Sequence, residues 1–269
     1  MIMASDRVRL EAFPMIGGVP SSQPKVALAP FIADCPGVTT LGVRSTLAAY
    51  RSDELALLRR AVKVYFPTRR FLGLFEAVAK PIFPSAASYH YQQSPILQQQ
   101  LFRYLSWPAP PARIYFGERQ KRRIMADFRL PVEVLGTVGG TGPAVCAETP
   151  SALERLVSGP GPVLIRQWRP WRKVVRCLAV DFVILGFQLG TGPGLWEPLT
   201  LDRQLMEPLE KSQVLINTAG LDDIVLKWGY DHGSWFCLGL GRPPRIFATR
   251  SERLDRHRWI SRRIEQGRL

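Results

Sequence analysis

An α/β (α+β) protein, with a small amino-terminal lobe followed by two α+β subdomains, is the fold class this 269-residue sequence predicts. Three observations carry that expectation. Strand-like and helix-like patterns alternate between residues 25 and 108, as in a small α/β lobe. Pro108-Ala109-Pro110-Pro111 then interrupts the pattern as a linker does. Beyond it come a strand entering a glycine-rich stretch, further long strands, and a closing pair of apolar runs around a turn. The composition is globular, 46% hydrophobic, 10% aromatic and 22% charged, with no apolar run long enough to cross a bilayer.

Each element has a local reason. Lys25-Val26-Ala27-Leu28-Ala29 opens the first strand, and Pro30 ends it because proline offers no N–H to a ladder. Residues 38–43 form a second short β segment. Over 53–62, Leu55, Leu57, Leu58 and Ala61 follow helical spacing behind Ser52 or Asp53 as N-cap. Val62-Lys63-Val64-Tyr65-Phe66 alternates as a strand, Pro67-Thr68 begins a helix running to Val78, and Ile82-Phe83-Pro84-Ser85 is a strand end. The stripe Ile96, Leu97, Leu101, Phe102 and Leu105 predicts a helix over 94–107. After the linker, Arg113-Ile114-Tyr115-Phe116 is a strand and 119–128 a basic helix. Pro131-Val132-Glu133-Val134-Leu135 is a strand leading into the glycine loop, Ala144-Val145-Cys146-Ala147 is extended, and Ser151-Ala152-Leu153-Glu154 starts a helix in capping-box form. Val163-Leu164-Ile165 and 174–188 add strands, the second bent at Asp181, and a helix over 205–220 closes at Gly220. Two apolar runs around Asp231-His232-Gly233 form a β-hairpin, and an arginine-rich helix over 251–266 ends the chain. The expected division is a poorly ordered 1–24, an α/β lobe 25–108, a glycine-loop subdomain 109–162, a second subdomain 163–245 and a basic helical tail 246–269.

The formal net charge is +14, and it is uneven. Arg166, Arg169, Arg172, Lys173 and Arg176 fall in one segment without an acid, and 242–269 holds nine Arg against Glu252, Asp255 and Glu265. Such a balance attracts nucleic acid, phosphate-rich ligands or an acidic protein face. Trp168 and Trp171, interleaved with the arginines, read either as a stacking surface or as aromatics covering the core. Cys35, Cys146, Cys177 and Cys237 lie far apart among apolar residues, so four buried reduced thiols are expected rather than a zinc site. The three histidines form no catalytic spacing, and His232 reads as a solvent-facing turn residue. The amino terminus lacks the basic-then-apolar order of a secretory signal, which places the protein in the cytoplasm as an expectation.

Tyr65-Phe66-Pro67-Thr68, Phe83-Pro84-Ser85, Gln99-Gln100-Leu101-Phe102 and Ala112-Arg113-Ile114-Tyr115-Phe116-Gly117, in that order and spacing, together with the last hairpin, give the stretch 62–243 its family likeness. It resembles RimK-like ATP-grasp ligases. The resemblance implies an ATP-grasp-like fold whose subdomains enclose a nucleotide cleft, and ATP-dependent carboxylate–amine ligation with magnesium clamping the phosphates. It also shows departures. The nucleotide-contacting Lys of the family's helix after Phe-Pro-Ser is absent from Pro95-Ile96-Leu97, and the Lys before the glycine loop is Leu135. The three magnesium positions of the hairpin are Lys227, Gly239 and Gly241, with 239 and 241 presented on the face toward 227 by strand alternation.

The resemblance leaves Gly136, Gly139, Gly140 and Gly142 as a phosphate cradle, or simply a tight turn. Gln167 stands in the adenine-binding linker without the family's acid, and Arg176 matches the Arg of the Asp-x-Arg signature whose Asp is Val174. The acyl-phosphate Arg and Asn are replaced in Leu195-Trp196-Glu197-Pro198. Neither lysine nor glycine side chains offer oxygen to a hard cation. The expectation is therefore a catalytically degenerate pseudo-ligase: no assigned catalytic residue, ATP binding weak at best, magnesium binding lost. Its partner would be an intact ATP-grasp homologue or another acidic protein, with nucleic acid bound without sequence preference. Two alternatives remain, an active ATP- and magnesium-dependent carboxylate–amine ligase and a nucleic-acid-binding protein using its arginine surfaces.

Overall fold

The computed structural model describes residues 24–136, 144–192, 194–249 and 252–269. The first lobe contains β1 (Lys25–Ala27), β2 (Val38–Thr40), α1 (Ser52–Arg60), β3 (Lys63–Tyr65), α2 (Leu72–Ala77) and β4 (Ile82–Phe83). Its strands form a parallel sheet in the order β2-β1-β3-β4. Val26, Leu28 and Val64 on one face bury against Leu58 of α1 and Phe71 and Phe75. Two helices follow, α3 (Ala86–Gln93) and α4 (Pro95–Tyr104), capped by the hydroxyls of Ser85 and Ser94. The sequence patterns do not reveal α3, whose polar composition leaves almost no apolar stripe.

Next come β5 (Ala112–Tyr115), α5 (Gly117–Lys121), α6 (Ile124–Asp127), β6 (Val132–Leu135), β7 (Val145–Ala147), α7 (Pro150–Val157) and β8 (Val163–Gln167). The strands make an antiparallel sheet ordered β5-β8-β6-β7. The expected boundary at 162/163 thus falls one strand early, since β8 pairs with β5 and β6. Helix α7 is capped by Thr149 rather than Ser151, because Pro150 occupies the first helical turn and Thr149 accepts the Ala152 N–H. Cys146 is exposed, unlike the other three thiols, because β7 is an edge strand with only Ala147 turned inward.

The third unit holds β9 (Lys173–Val180), β10 (Val183–Gly192), β11 (Leu195–Leu199), α8 (Met206–Thr218), β12 (Asp223–Asp231) and β13 (Ser234–Gly241), its five strands antiparallel in the order β11-β10-β9-β12-β13. Residues 174–188 are therefore a hairpin and not one bent strand: Asp181 and Phe182 both adopt positive φ, 52° and 60°, and reverse the chain. His232 and Gly233, at 45° and 83°, do the same between β12 and β13, and His232 is exposed there. Ile224, Leu226 and Trp228 alternate onto the face covered by Leu215 and Ile216 of α8. Trp228 is fully buried, and its indole N–H donates to Ser212 Oγ at 2.9 Å.

The tail is not a lone helix. It forms β14 (Ile246–Ala248), β15 (Arg253–Asp255) and α9 (Arg256–Glu265). The helix starts at Arg256 because Asp255 caps it, accepting the N–H groups of His257 and Arg258. Ile260 and Ile264 of α9 pack beside Tyr65 and Phe83 of the first sheet and Leu178 and Val180 of the third. Likewise Phe102 of α4 sits in the core of the third unit. The division at 108/109 and the separate tail at 246 follow the chain, whereas these packings cross both.

Arg256 anchors the helix. It is 5% exposed and forks onto Asp223, 1% exposed, through Nε–Oδ1 at 3.0 Å and Nη2–Oδ2 at 3.1 Å. Burial pushes the Asp223 carboxyl up to about 7, against the pull of Arg256. Arg256→Met leaves this carboxylate buried and unpaired, and we expect a loss of about 3–5 kcal/mol at pH 8. A carboxyl whose folded pKa is raised binds more protons folded than unfolded, so lowering the pH stabilises the fold. The deficit should shrink toward pH 5 in urea melts, and Asp223→Asn should rescue the variant at pH 8. An equal deficit at both pH values would show that the pair does not anchor α9.

Candidate functional site

A cavity of about 820 Å³ opens between the second and third sheets and reaches the first lobe. Its floor is the face of the third sheet opposite α8. On β12 the alternate residues Asp223, Val225 and Lys227 turn into it. The strand register then sets a row of neighbours across four strands: Gln188, Arg176, Lys227 and Gly239 are partners in turn. Gly241 faces Val225 one step along. Leu135 and Pro95, positions where the family has or adjoins a lysine, line the same cavity. The residues singled out from the hairpin and from two distant segments thus converge.

Five lining side chains are cationic, Arg166, Arg176, Lys227, Arg242 and Arg256, and one, Asp223, is acidic. Arg176 is held on several sides. Its Nε donates to Gln188 Oε1 at 2.8 Å, and its guanidinium lies 4.3 Å from the Trp196 ring centroid and 5.8 Å from that of Phe247. Gln188 is oriented in turn by donating to the Ala248 carbonyl. From the opposite sheet Arg166 donates Nε to Glu133 and Nη1 to the Leu238 carbonyl, tying β8 to β13. Lys227 stands exposed to the cavity, its Nζ 5.8 Å from the Trp196 centroid, with no carboxylate partner among the described residues. Burial by the cleft walls lowers its pKa, and Arg166 and Arg176 push the same way against Glu133.

Gly239 is built into this wall. The register shifts after Lys227, so that Trp228 faces Cys237 and Leu238 is the extra residue of a bulge. Gly239 follows it at φ +151°. The amide of Gln98 from α4 pairs with the next residue as a strand would, accepting the Leu240 N–H at 2.9 Å and donating to its carbonyl at 2.8 Å. A Cβ on Gly239 would lie 3.0 Å from Gln98 Oε1.

Three sequence-derived sites fare differently. Gln167 does not line the cavity; its amide donates to the carbonyls of Arg129 and Pro131 at 3.1 Å, pinning β8 to the loop before β6. Of the glycine loop, Gly136 is a turn at φ +74°, and Gly139, Gly140 and Gly142 lie outside the described residues. The arginine segment 166–176 does not act as one surface. Arg166 and Arg176 face the cleft, while Arg169 lies over Phe236 at 5.2 Å and Trp171 rests on Gly229, where an added Cβ would meet the indole at 2.6 Å. Residues not singled out from sequence are Arg242, Gln98, Trp196 as a cation shelf, and the Asp223–Arg256 pair. Gln98 had a usable signal: a polar residue four before Phe102, on the buried stripe of its helix. Among the described residues, no three His, Cys, Asp or Glu side chains gather as a metal site, and no helix is long and apolar enough to cross a membrane.

No protein-family model and no curated protein sequence matches the chain. Solved structures do. A RimK-domain ATP-grasp protein from Sphaerobacter thermophilus aligns over 81% of this chain and 90% of that one, with TM-score 0.64 and 18% identity. D-alanine–D-alanine ligase from Bacillus anthracis, complexed with ATP, aligns over 83% and 87% with TM-score 0.64 and 12% identity. The ADP complex of N5-carboxyaminoimidazole ribonucleotide synthetase aligns over 81% of this chain and 63% of that one, with TM-score 0.64 and 13% identity. The chain has the ATP-grasp fold.

The two hairpin glycines should respond differently to a methyl group. Gly241 has open space and an ordinary backbone, whereas Gly239 has neither. Gly239→Ala should cost about 1–3 kcal/mol through its backbone conformation, and Gly241→Ala should stay within about 0.5 kcal/mol. Thermal melts of the two variants check this; equal effects would place the bulge elsewhere.

Proposed function

We propose that this ATP-grasp-fold protein has lost metal-assisted ligase chemistry and acts as a binding or regulatory protein through a cation-lined cleft. One observation carries the reading: Lys227 and Gly239 face each other in the register, with Gly241 beside them, at the positions where the resemblance implies magnesium ligands. The residues present do not fit the metal. Magnesium takes oxygen ligands in near-octahedral geometry, and this floor offers an ammonium and two bare glycines. The acids nearby are engaged, Asp223 with Arg256 and Glu133 with Arg166. A metal bridging phosphates supplies several kcal/mol in phosphoryl transfer, so losing it removes the activation step of a carboxylate ligase. The missing lysine at Leu135 and the Trp196 shelf in place of a reactive polar group support the same reading.

ATP in this reading is a weak ligand, and the exposed Arg258 of α9 suits an anionic partner such as an acidic protein face. Calorimetric titration with ATP, in magnesium and in EDTA, tests the proposal. Weak binding with no gain from magnesium is expected. Tight binding that requires magnesium would restore the active-ligase reading.

A further inference from the structure

We infer that Arg176 and Lys227, closed from the facing sheet by Arg166, form a metal-free oxyanion site that takes the phosphate chain of a polyphosphate or nucleotide directly and is indifferent to the base. The inference rests on the reading above that the metal site is lost, and adds what replaces it. Arg176 and Lys227 are direct cross-strand neighbours. Like charges in that position destabilise a sheet, and here the nearby acids cannot relieve them because each already holds an arginine. Burial and mutual repulsion act on the same ammonium. An oxyanion seated between them removes that conflict, and cations in a partly water-excluded cleft attract it more strongly than they would on an open surface.

The site is shaped as well as charged. Trp196 and Gln188 fix the Arg176 guanidinium, and the Leu238 carbonyl fixes that of Arg166, so two of the three cations are oriented before any ligand arrives. Such preorganisation reduces the entropic cost of binding. Lys227 supplies a flexible point charge with three donors. The floor at Gly241, where nothing lies within 4 Å of an added Cβ, leaves room for oxygen atoms where a side chain would stand. Magnesium then acts against binding: it lowers the charge of the phosphate chain and would have to sit against the Lys227 ammonium. The base goes unread because Gln167, the residue aligned with the family's adenine linker, spends its amide on two backbone carbonyls.

The test uses the whole chain and sodium tripolyphosphate, ATP and GTP in EDTA at low salt, followed by calorimetry, then excess magnesium. We expect all three to bind with affinities within about threefold, and magnesium to weaken each. Lys227→Met and Arg176→Gln should each cost about tenfold, the scale of one charged hydrogen bond. Arg262→Gln, on the exposed face of α9, should change nothing beyond twofold, with circular dichroism confirming that each variant is folded. Absence of tripolyphosphate binding in EDTA overturns the inference and leaves the loss of the metal site standing. Equal losses in Arg262→Gln would assign binding to diffuse charge and overturn it too, as would strong preference for one base. Binding that requires magnesium overturns the underlying reading as well.

Discussion

The fork between Arg256 and Asp223 is the contact on which the arrangement of the molecule turns. Asp223 begins the central-to-edge strand β12, and Arg256 begins the last helix, 33 residues later. Joining them places Ile260 and Ile264 against both the first sheet and the third, so one buried pair decides how the first lobe meets the hairpin unit. Arg263 repeats the idea farther along α9 by donating to Asp181 in the turn after β9. A charged pair so deeply buried is a modest source of net stability, because desolvation offsets much of its attraction. Its larger effect is positional, since an unpaired partner would be expensive in every competing arrangement.

From that anchor the cleft follows. The same face of β12 that meets Arg256 at one end carries Lys227 at the other, two alternations along. Asp223 is thereby neutralised by the fold while Lys227 is not. The cleft inherits the asymmetry: its acid is spent on architecture, Arg256 and Arg166 are paired with carboxylates, and Arg176 and Lys227 have no carboxylate partner among the described residues. Among the described residues, Arg166 is the one lining cation contributed by the facing sheet, and its bond to the Leu238 carbonyl links the two walls.

Much of this was legible in sequence, and the rest was hidden for identifiable reasons. The hairpin, the strand before the glycine loop and the helix over 95–104 announced themselves through alternation, turn residues and an apolar stripe. Leu135, Lys227, Gly239 and Gly241 were singled out through family likeness and not through spacing, and the structure places all four on one cavity. Helix α3 escaped because its polar residues serve contacts with distant chain: Ser88 donates to Asp222 and Gln92 to the Asp223 carbonyl. The reversal at Asp181 and Phe182 escaped because neither is glycine, and the conformation is held by the Arg263 pair and by the Asp181 N–H donating to the Asp222 carbonyl. The contacts of Gln167 were hidden for a similar reason, since its amide donates to carbonyls of the neighbouring loop. In each case a long-range partner, invisible in a local window, decided the outcome.

The bulge beside Gly239 has a consequence for descent. If the ancestor carried a carboxylate at that point, as the resemblance implies, the backbone has since settled into a conformation that favours glycine, and Gln98 has taken the neighbouring strand edge. Return by a single codon change is obstructed by shape before chemistry enters. The chain would first have to slide its bulge by a residue and free the glutamine, two steps with no benefit until both are complete. On the proposed reading, such a loss would work as a ratchet, and it would steer later variation at this cleft toward refining its positive charge.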